Sequence, residues 1–126
     1  MTNLFSPDDL IHSYTRQQAI EDGVLMDVSE TAKEAGVRFP VALTRAVWAQ
    51  YVEVPDGVDC QDEAGRLWDV LWMFRHGAEG ADGDRFEFDL LVRNDNRQAD
   101  QVTLRAICGP GDDAKPVITI MLLDED

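Results

Sequence analysis

The clearest periodic pattern in the chain lies in Asp62-Glu63-Ala64-Gly65-Arg66-Leu67-Trp68-Asp69-Val70-Leu71-Trp72-Met73-Phe74-Arg75. Its large apolar residues recur at the i, i+3, i+4 spacing of one helix face: Ala64, Leu67, Trp68, Leu71 and Trp72. Val70, Met73 and Phe74 widen that face, so we expect the helix to be mostly buried. Acids at its start, and Arg75 and His76 at its end, suit the helix dipole. The stretch therefore predicts a long helix from Asp62 to Arg75.

After this helix the hydrophobic period changes from helical spacing to two. Gly77 to Asp84 is a polar, glycine-rich segment and predicts a loop. Alternating apolar residues then predict two strands with one buried face each: first Phe86, Phe88, Leu90 and Val92, then Val102, Leu104 and Ala106. The segment from Val117 to Leu123 is apolar on both faces, which is typical of a central, doubly covered strand.

The N-terminal third reads as short helices. Ser6-Pro7-Asp8-Asp9 is a helix-start signal, and Thr15 with Gln18 fits a capping box. The apolar run Val24 to Val28 predicts a strand or a buried extended segment. A short helix is expected over Ser29 to Ala35, closed by Gly36, and Pro40 is expected to open a longer helix over Val41 to Tyr51.

These patterns predict one α+β domain spanning residues 1–126. The helices are expected within residues 6–76 and the strands within residues 85–123. A helical N-terminal half would then pack on a C-terminal antiparallel β-meander of three or four strands. The patterns leave the strand order open.

Net charge is the extreme value of the composition. The chain has 25 acids against 11 bases, a formal net charge of −14. From Glu53 to Asp89 there are eleven acids against three arginines. Such a field repels nucleic acid and anionic membranes and attracts basic partners. We therefore expect no direct binding of nucleic acid or membrane, and we expect a basic protein surface as the partner.

The usual signatures of enzymes and cofactor sites are missing from the sequence. His12, His76, Cys60 and Cys108 lack metal-binding spacing, and the acids lack the alternation of a calcium loop. No nucleophile elbow is present, and Gly109-Pro110-Gly111 is followed by two aspartates rather than by the lysine of a phosphate loop. We expect no cofactor and no metal, and we expect the clustered acids to lie in solvated turns. Both cysteines are expected to be free thiols in a reducing cytoplasm, with a Cys60–Cys108 bridge as the alternative that stays open.

Three tryptophans raise the question of an aromatic ligand box. Trp48, Trp68 and Trp72 lie in segments with helical spacing, where aromatic residues usually pack in the core. We therefore expect core packing for them.

Three stretches of the chain are distinctive when taken together. They are Gly23-Val24-Leu25-Met26-Asp27-Val28-Ser29 through Pro40-Val41-Ala42-Leu43-Thr44, then Asp62 to Met73, and then Cys108-Gly109-Pro110-Gly111-Asp112-Asp113 running into Val117 to Leu122. They resemble a family of small proteins of unknown function carried on bacterial plasmids and integrative elements. The resemblance covers most of the chain from about Tyr14 onward. It implies an accessory protein of mobile DNA in a bacterial cytoplasm, and it implies no activity or catalytic residue.

The sequence therefore favours a non-enzymatic interaction protein, with an anti-defence factor that mimics nucleic-acid charge as its narrower form. The candidate acidic interaction surface comprises Glu53, Asp56, Asp59, Asp62, Glu63, Glu79, Asp82 and Asp84. The alternative is a small-molecule binding or minor catalytic domain with a pocket between the helices and the sheet. A homo-oligomer built on exposed aromatics or on the last strand also stays open.

Overall fold

The described part of the chain is built around one mixed β-sheet. The structure is a computed structural model that describes residues 14–125. The five strands of the sheet stand in the order β1-β2-β5-β4-β3. They are β1 (Leu25–Asp27), β2 (Val41–Thr44), β3 (Arg85–Val92), β4 (Asp100–Pro110) and β5 (Pro116–Leu122). β1 pairs antiparallel with β2, β3 pairs antiparallel with β4, and β4 pairs antiparallel with β5. β2 and β5 run parallel, with Val41 opposite Ile118 and Leu43 opposite Ile120.

Within residues 14–125, four α-helices and one π-helical turn accompany the sheet. They are α1 (Arg16–Glu21), α2 (Ser29–Glu34), α3 (Arg45–Val47), the π-helix Trp48–Val52 and α4 (Glu63–Glu79). α4 is the one long helix of residues 14–125, and it contacts α2, the π-helix and β3. Its buried residues pack with the inward side chains of the sheet, among them Leu71, Phe74, Phe88, Leu104 and Ile120.

The predicted arrangement of the fold was wrong, although the mixture of helix and strand is confirmed. The N-terminal half is not a helical layer, because it supplies β1 and β2 to the sheet. The last three strands are not a separate C-terminal meander, because β5 continues into a parallel pairing with β2. Strands therefore occur outside residues 85–123, and α4 continues beyond residue 76 to Glu79.

The helix predicted over Val41 to Tyr51 was wrong in its first four residues. Val41, Ala42 and Leu43 are fully buried, because β2 is covered on both faces. An apolar run of this length does not distinguish a doubly covered strand from a buried helix. The helical part begins only at Arg45, where the Thr44 hydroxyl accepts a hydrogen bond from the Val47 amide at 3.3 Å.

Other local predictions are confirmed or fall outside the described residues. Thr15 and Gln18 form the capping box, with the Thr15 amide donating to Gln18 Oε1 at 2.9 Å and the Gln18 amide to Thr15 Oγ1 at 3.0 Å. The helix start at Ser6-Pro7-Asp8-Asp9, and His12, lie outside residues 14–125.

Arg66, on the first turn of α4, is the buried charged residue of the described chain. Its guanidinium donates to the Val52 carbonyl at 3.1 Å, to the Arg93 carbonyl at 2.7 Å and to Asn94 Oδ1 at 2.6 Å. Asn94 donates in turn to the Gln50 carbonyl at 3.0 Å. The network joins the end of the π-helix, the start of α4 and the end of β3.

Helix α1 is attached to the sheet by hydrogen bonds to residues that are distant in sequence, namely Asp112, Ile118 and Thr119. The Asp112 carboxylate, in the β4–β5 turn, accepts hydrogen bonds from the backbone amides of Arg16 and Gln17, each at 2.9 Å. The Arg16 side chain donates to Thr119 Oγ1 at 2.7 Å and to the Ile118 carbonyl at 2.6 Å. The two backbone hydrogen bonds hold the pKa of Asp112 below its usual range.

Replacing Asp112 tests this attachment. Asp112→Ala removes the acceptor for two amides at the start of α1, so we expect the free energy of unfolding at pH 7 to fall below that of the wild-type protein. Because the folded-state pKa is depressed, the contribution is present above the unfolded-state pKa and is lost as pH falls through the folded-state value. Urea unfolding at several pH values measures this. Asp82→Ala, at an exposed acid, is the charge-matched control, and an equal loss in both variants would contradict the assignment.

Gly77 allows α4 to approach β3 closely. A Cβ atom at this position would lie 2.9 Å from a ring carbon of Phe86 and 3.0 Å from Cβ of Phe88. Helix propensity alone favours Gly77→Ala by about 1 kcal/mol. The clash opposes it, because the Cβ of Phe88 belongs to a strand and moves only with the backbone.

We therefore expect Gly77→Ala to lower the free energy of unfolding by about 1 to 2 kcal/mol, although alanine has the higher helix propensity. Gly80→Ala is the matched control, because nothing lies within 4 Å of a Cβ built there. Thermal and urea unfolding measure both variants. A stabilised Gly77→Ala protein would show that the helix and the strand are less tightly packed than the distances indicate.

Candidate interaction groove beside helix α4

Helix α4 has one buried and one exposed face. Leu67, Val70, Leu71 and Phe74 point into the core. Trp68, Trp72 and Met73 lie on the other face, with 36%, 38% and 38% of their surface exposed. The expectation of a mostly buried helix with core tryptophans was therefore wrong for Trp68 and Trp72, whereas Trp48 is partly buried against the core.

The exposed aromatic side chains form a continuous row along α4. The rings of Trp68 and Trp72 stack with their centroids 5.8 Å apart and their planes 15° apart. His76 meets Trp72 edge-on at 5.0 Å, and the Arg75 guanidinium lies 5.5 Å from the centre of the Trp72 ring. These contacts hold the indoles in a defined orientation while leaving part of each ring open to solvent.

A groove of about 500 Å³ runs between this row and strand β3. Trp72 and Met73 form its helix side, and Asp89, Leu90 and Leu91 form its strand side. Within residues 14–125, β3 is an edge strand that pairs with β4 alone. Leu91 is 65% exposed and, together with the exposed Trp72 and Met73, gives the groove a contiguous apolar surface. We call this site the α4–β3 groove.

Two carboxylates face the α4–β3 groove. Burial raises the pKa of Asp69, whose carboxylate has lost part of its hydration beside the groove. Asp89 accepts hydrogen bonds from Thr103 at 2.5 Å and from Gln101 at 3.2 Å. Neither carboxylate has a cationic side chain within 4.0 Å among the described residues. The groove thus combines apolar surface with uncompensated negative charge.

The eight acids of the predicted interaction surface are all exposed, and they fall into two groups at opposite ends of α4. Glu53, Asp56, Asp59, Asp62 and Glu63 precede or begin the helix, whereas Glu79, Asp82 and Asp84 end or follow it. At 1.5 Å per residue, Glu63 and Glu79 are separated by about 24 Å along the axis. The members of each group are therefore near one another in the chain, and the aromatic row of α4 lies between the two groups.

The first acidic group is attached to the β3–β4 connection. The Asp59 amide donates to Asn96 Oδ1 at 2.8 Å, and Asn96 Nδ2 donates to the Gly57 carbonyl at 2.8 Å. Asp62 caps α4 by accepting from the Gly65 amide at 2.6 Å. Part of this acidic surface therefore also stabilises the local chain.

Arginine does little to neutralise the carboxylates directly. Among residues 14–125 the one ion pair within 4.0 Å joins Arg85 and Asp84, which are sequence neighbours, at 3.8 Å. Arg66, Arg93 and Arg105 donate instead to carbonyl or amide oxygens. The negative charge therefore remains available to a partner.

Other predicted features have simple outcomes. Cys60 is exposed and Cys108 is partly buried, and both are free thiols. Within the described part of the chain, no three His, Cys, Asp or Glu side chains converge as metal ligands. None of the helices described is long and apolar enough to cross a bilayer.

Residues 14–125 thus combine a five-stranded mixed sheet with an acidic, aromatic groove beside the long helix α4. The chain belongs to a family of unknown function, DUF6573, whose model matches residues 1–126. No curated protein matches the chain. No solved structure matches it either.

The charge of Asp69 has a measurable effect on stability. Because burial raises its pKa, its contribution is present below the unfolded-state pKa and is lost as pH rises through the folded-state value. Asp69→Asn keeps the shape of the side chain and removes the charge. Because Asp69 is exposed as a whole residue and solvent screens its charge, we expect only a small rise in the free energy of unfolding at pH 7, of roughly a few tenths of a kcal/mol at most.

Urea unfolding at pH 7 and at about pH 3, below the ordinary aspartate pKa, measures this effect. The gain at pH 7 is expected to disappear in acid. Asp82→Asn is the control, because Asp82 is an exposed acid that lies outside both α4 and the α4–β3 groove. A loss of stability in Asp69→Asn at pH 7 would show that the carboxylate is satisfied as an anion.

Proposed function

We propose that the protein is a non-enzymatic interaction protein that binds a basic segment of a partner protein in the α4–β3 groove. The observation that carries the proposal is the position of Trp72, which stacks on the exposed Trp68, in one groove with two carboxylates that have no cationic side chain within 4.0 Å among the described residues. Exposed apolar surface of this kind marks contact sites in soluble proteins, and tryptophan is enriched among the residues that dominate binding energy.

The carboxylates give the groove its preference for a basic partner. A lysine or arginine placed near Asp69 would favour the ionised carboxylate and lower its raised pKa. Asp89 lies on the opposite wall and offers its remaining acceptor capacity to the same partner. Apolar side chains of the partner would cover Trp72, Met73 and Leu91.

The two acidic groups at the ends of α4 extend this complementarity. They lie about 24 Å apart along the helix axis, with the aromatic row between them. Charge at the rim of an interface mainly accelerates association and orients the partner, whereas buried aromatic contacts slow dissociation. This order of charge, aromatic surface and charge favours a basic segment with apolar residues at its centre.

Mimicry of nucleic-acid charge, and with it an anti-defence role, is the narrower form of the proposal. It is supported by the net charge of −14. Duplex DNA presents a charge about every 1.7 Å of axis, whereas here an aromatic row interrupts the acids. The aromatic row favours binding to a partner protein through apolar contacts rather than through imitation of DNA charge alone. An origin on bacterial plasmids or integrative elements, and action in the cytoplasm, belong to the same proposal.

A pair of designed peptides tests the groove. One is a short amphipathic helix of leucine and lysine, and the other replaces each lysine with glutamate. We expect the wild-type protein to bind the lysine peptide and to ignore the glutamate peptide, with binding weakened by salt. Fluorescence anisotropy of labelled peptides measures both affinities.

Variants of the groove separate specific docking from general charge attraction. Trp68→Ala with Trp72→Ala is expected to weaken binding of the lysine peptide at least about tenfold, since anchoring tryptophans contribute about 2 kcal/mol or more. Asp69→Asn is expected to weaken it several-fold. Leu123→Ala, an exposed apolar residue of the C-terminal segment, is the control. Unchanged affinity in the double tryptophan variant would reject the proposal.

A further inference from the structure

A second cavity, of about 430 Å³, opens between the last turns of α4, the α2–β2 connection and the sheet. Val37, Phe74 and Ile118 form its buried floor, and Phe39, Ala78 and Phe86 form its walls. Its size falls in the range of small-molecule sites, which are mostly apolar with a few polar groups that orient the ligand. We call it the arginine cavity, after the two residues described next.

The polar groups of the arginine cavity are mainly cationic. Arg38 and Arg75 line it, and Glu79 is its one acid. Among residues 14–125, no group accepts a hydrogen bond from the Arg38 or Arg75 side chain, and neither arginine has a carboxylate within 4.0 Å.

Arg75 is held in place without using its hydrogen-bond donors. It is partly buried, its guanidinium lies 5.5 Å from the centre of the Trp72 ring, and its stem passes beside Gly36. A Cβ atom at Gly36 would lie 3.0 Å from Arg75 Nε, so the absence of a side chain there leaves room for the guanidinium. The donors of Arg75 therefore stay available to a ligand, and a carboxylate matches their forked geometry.

We propose that the arginine cavity binds a small carboxylate with an apolar body, such as a medium-length acyl chain. The apolar body occupies the space above Val37, Phe74 and Phe86, and the carboxylate accepts hydrogen bonds from Arg75 and Arg38. This site is separate from the α4–β3 groove, because it lies at the C-terminal end of α4 and shares none of its lining residues.

Cys108 provides a direct reporter, because its partly buried thiol lines the arginine cavity. The chain has two cysteines, so Cys60→Ser leaves Cys108 as the one thiol. In this background the rate of Cys108 modification by N-ethylmaleimide is measured with decanoate, decanol or decylamine, each below its micelle concentration. We expect saturable protection by decanoate, weaker protection by decanol and none by decylamine.

Substitutions in the cavity assign the binding to its residues. The double variant Arg38→Gln with Arg75→Gln is expected to bind decanoate at least about tenfold more weakly than the parent protein and to bind decanol with unchanged affinity. Ala78→Phe, which fills the wall without changing the charge, is expected to abolish protection by both ligands. Trp68→Ala is the control, since it alters the groove and not this cavity. Circular dichroism confirms that each variant is folded.

Trp72 gives a second readout that is independent of cysteine chemistry. A carboxylate bound to Arg75 alters the cation beside the Trp72 ring, so decanoate is expected to change its fluorescence in wild-type protein and not in Arg75→Gln. Equal protection by decanoate and decylamine would overturn the proposal, as would full decanoate binding in the double arginine variant or no response to decanoate in either assay. None of these results bears on peptide binding in the α4–β3 groove.

Discussion

The hydrogen bonds of the Arg66 guanidinium are the constraint on which the geometry of α4 depends. A buried charge is tolerated only when its donors are satisfied, and here all three acceptors are uncharged oxygens: two backbone carbonyls and one side-chain amide. The acceptors come from the end of the π-helix and from the end of β3. Because Arg66 joins both to the first turn of α4, it sets the distance between the helix and the edge strand. The α4–β3 groove occupies the space that this distance leaves.

The parts of the fold that were predictable from the sequence are the local ones. The capping box of Thr15 and Gln18, the start of α4 at Asp62 and the alternation of β3 each depend on residues close together in the chain. The pairing of β2 with β5 does not, since it joins residues more than seventy positions apart, such as Val41 and Ile118. No local pattern encodes such a pairing, and without it β2 reads equally well as the first turn of a helix.

The candidate site was predictable only in its charge. Counting acids predicted one acidic surface within the stretch Glu53 to Asp89, whereas the structure divides its eight acids between the two ends of α4. The α4–β3 groove was missed because it requires knowing that β3 is an edge strand. One signal was present: Leu91 places an apolar residue at a position where the alternation of β3 calls for a polar one. The burial of Trp68 and Trp72 was predicted wrongly. The apolar residues of α4 cover more than one face of the helix, and such a pattern predicts a helix that is buried on all sides.

The two proposed sites show that the net charge of a protein does not determine its local chemistry. The groove presents carboxylates without cations, whereas the cavity at the end of the same helix presents arginines that lack carboxylates. At physiological ionic strength a field extends only about 8 Å before screening reduces it. Over longer distances the excess of acids governs which molecules approach, but within a pocket the nearest groups decide which ligand stays. Arg75 illustrates the difference, because its contact with Trp72 and its place beside Gly36 fix it at the cavity of an otherwise acidic protein.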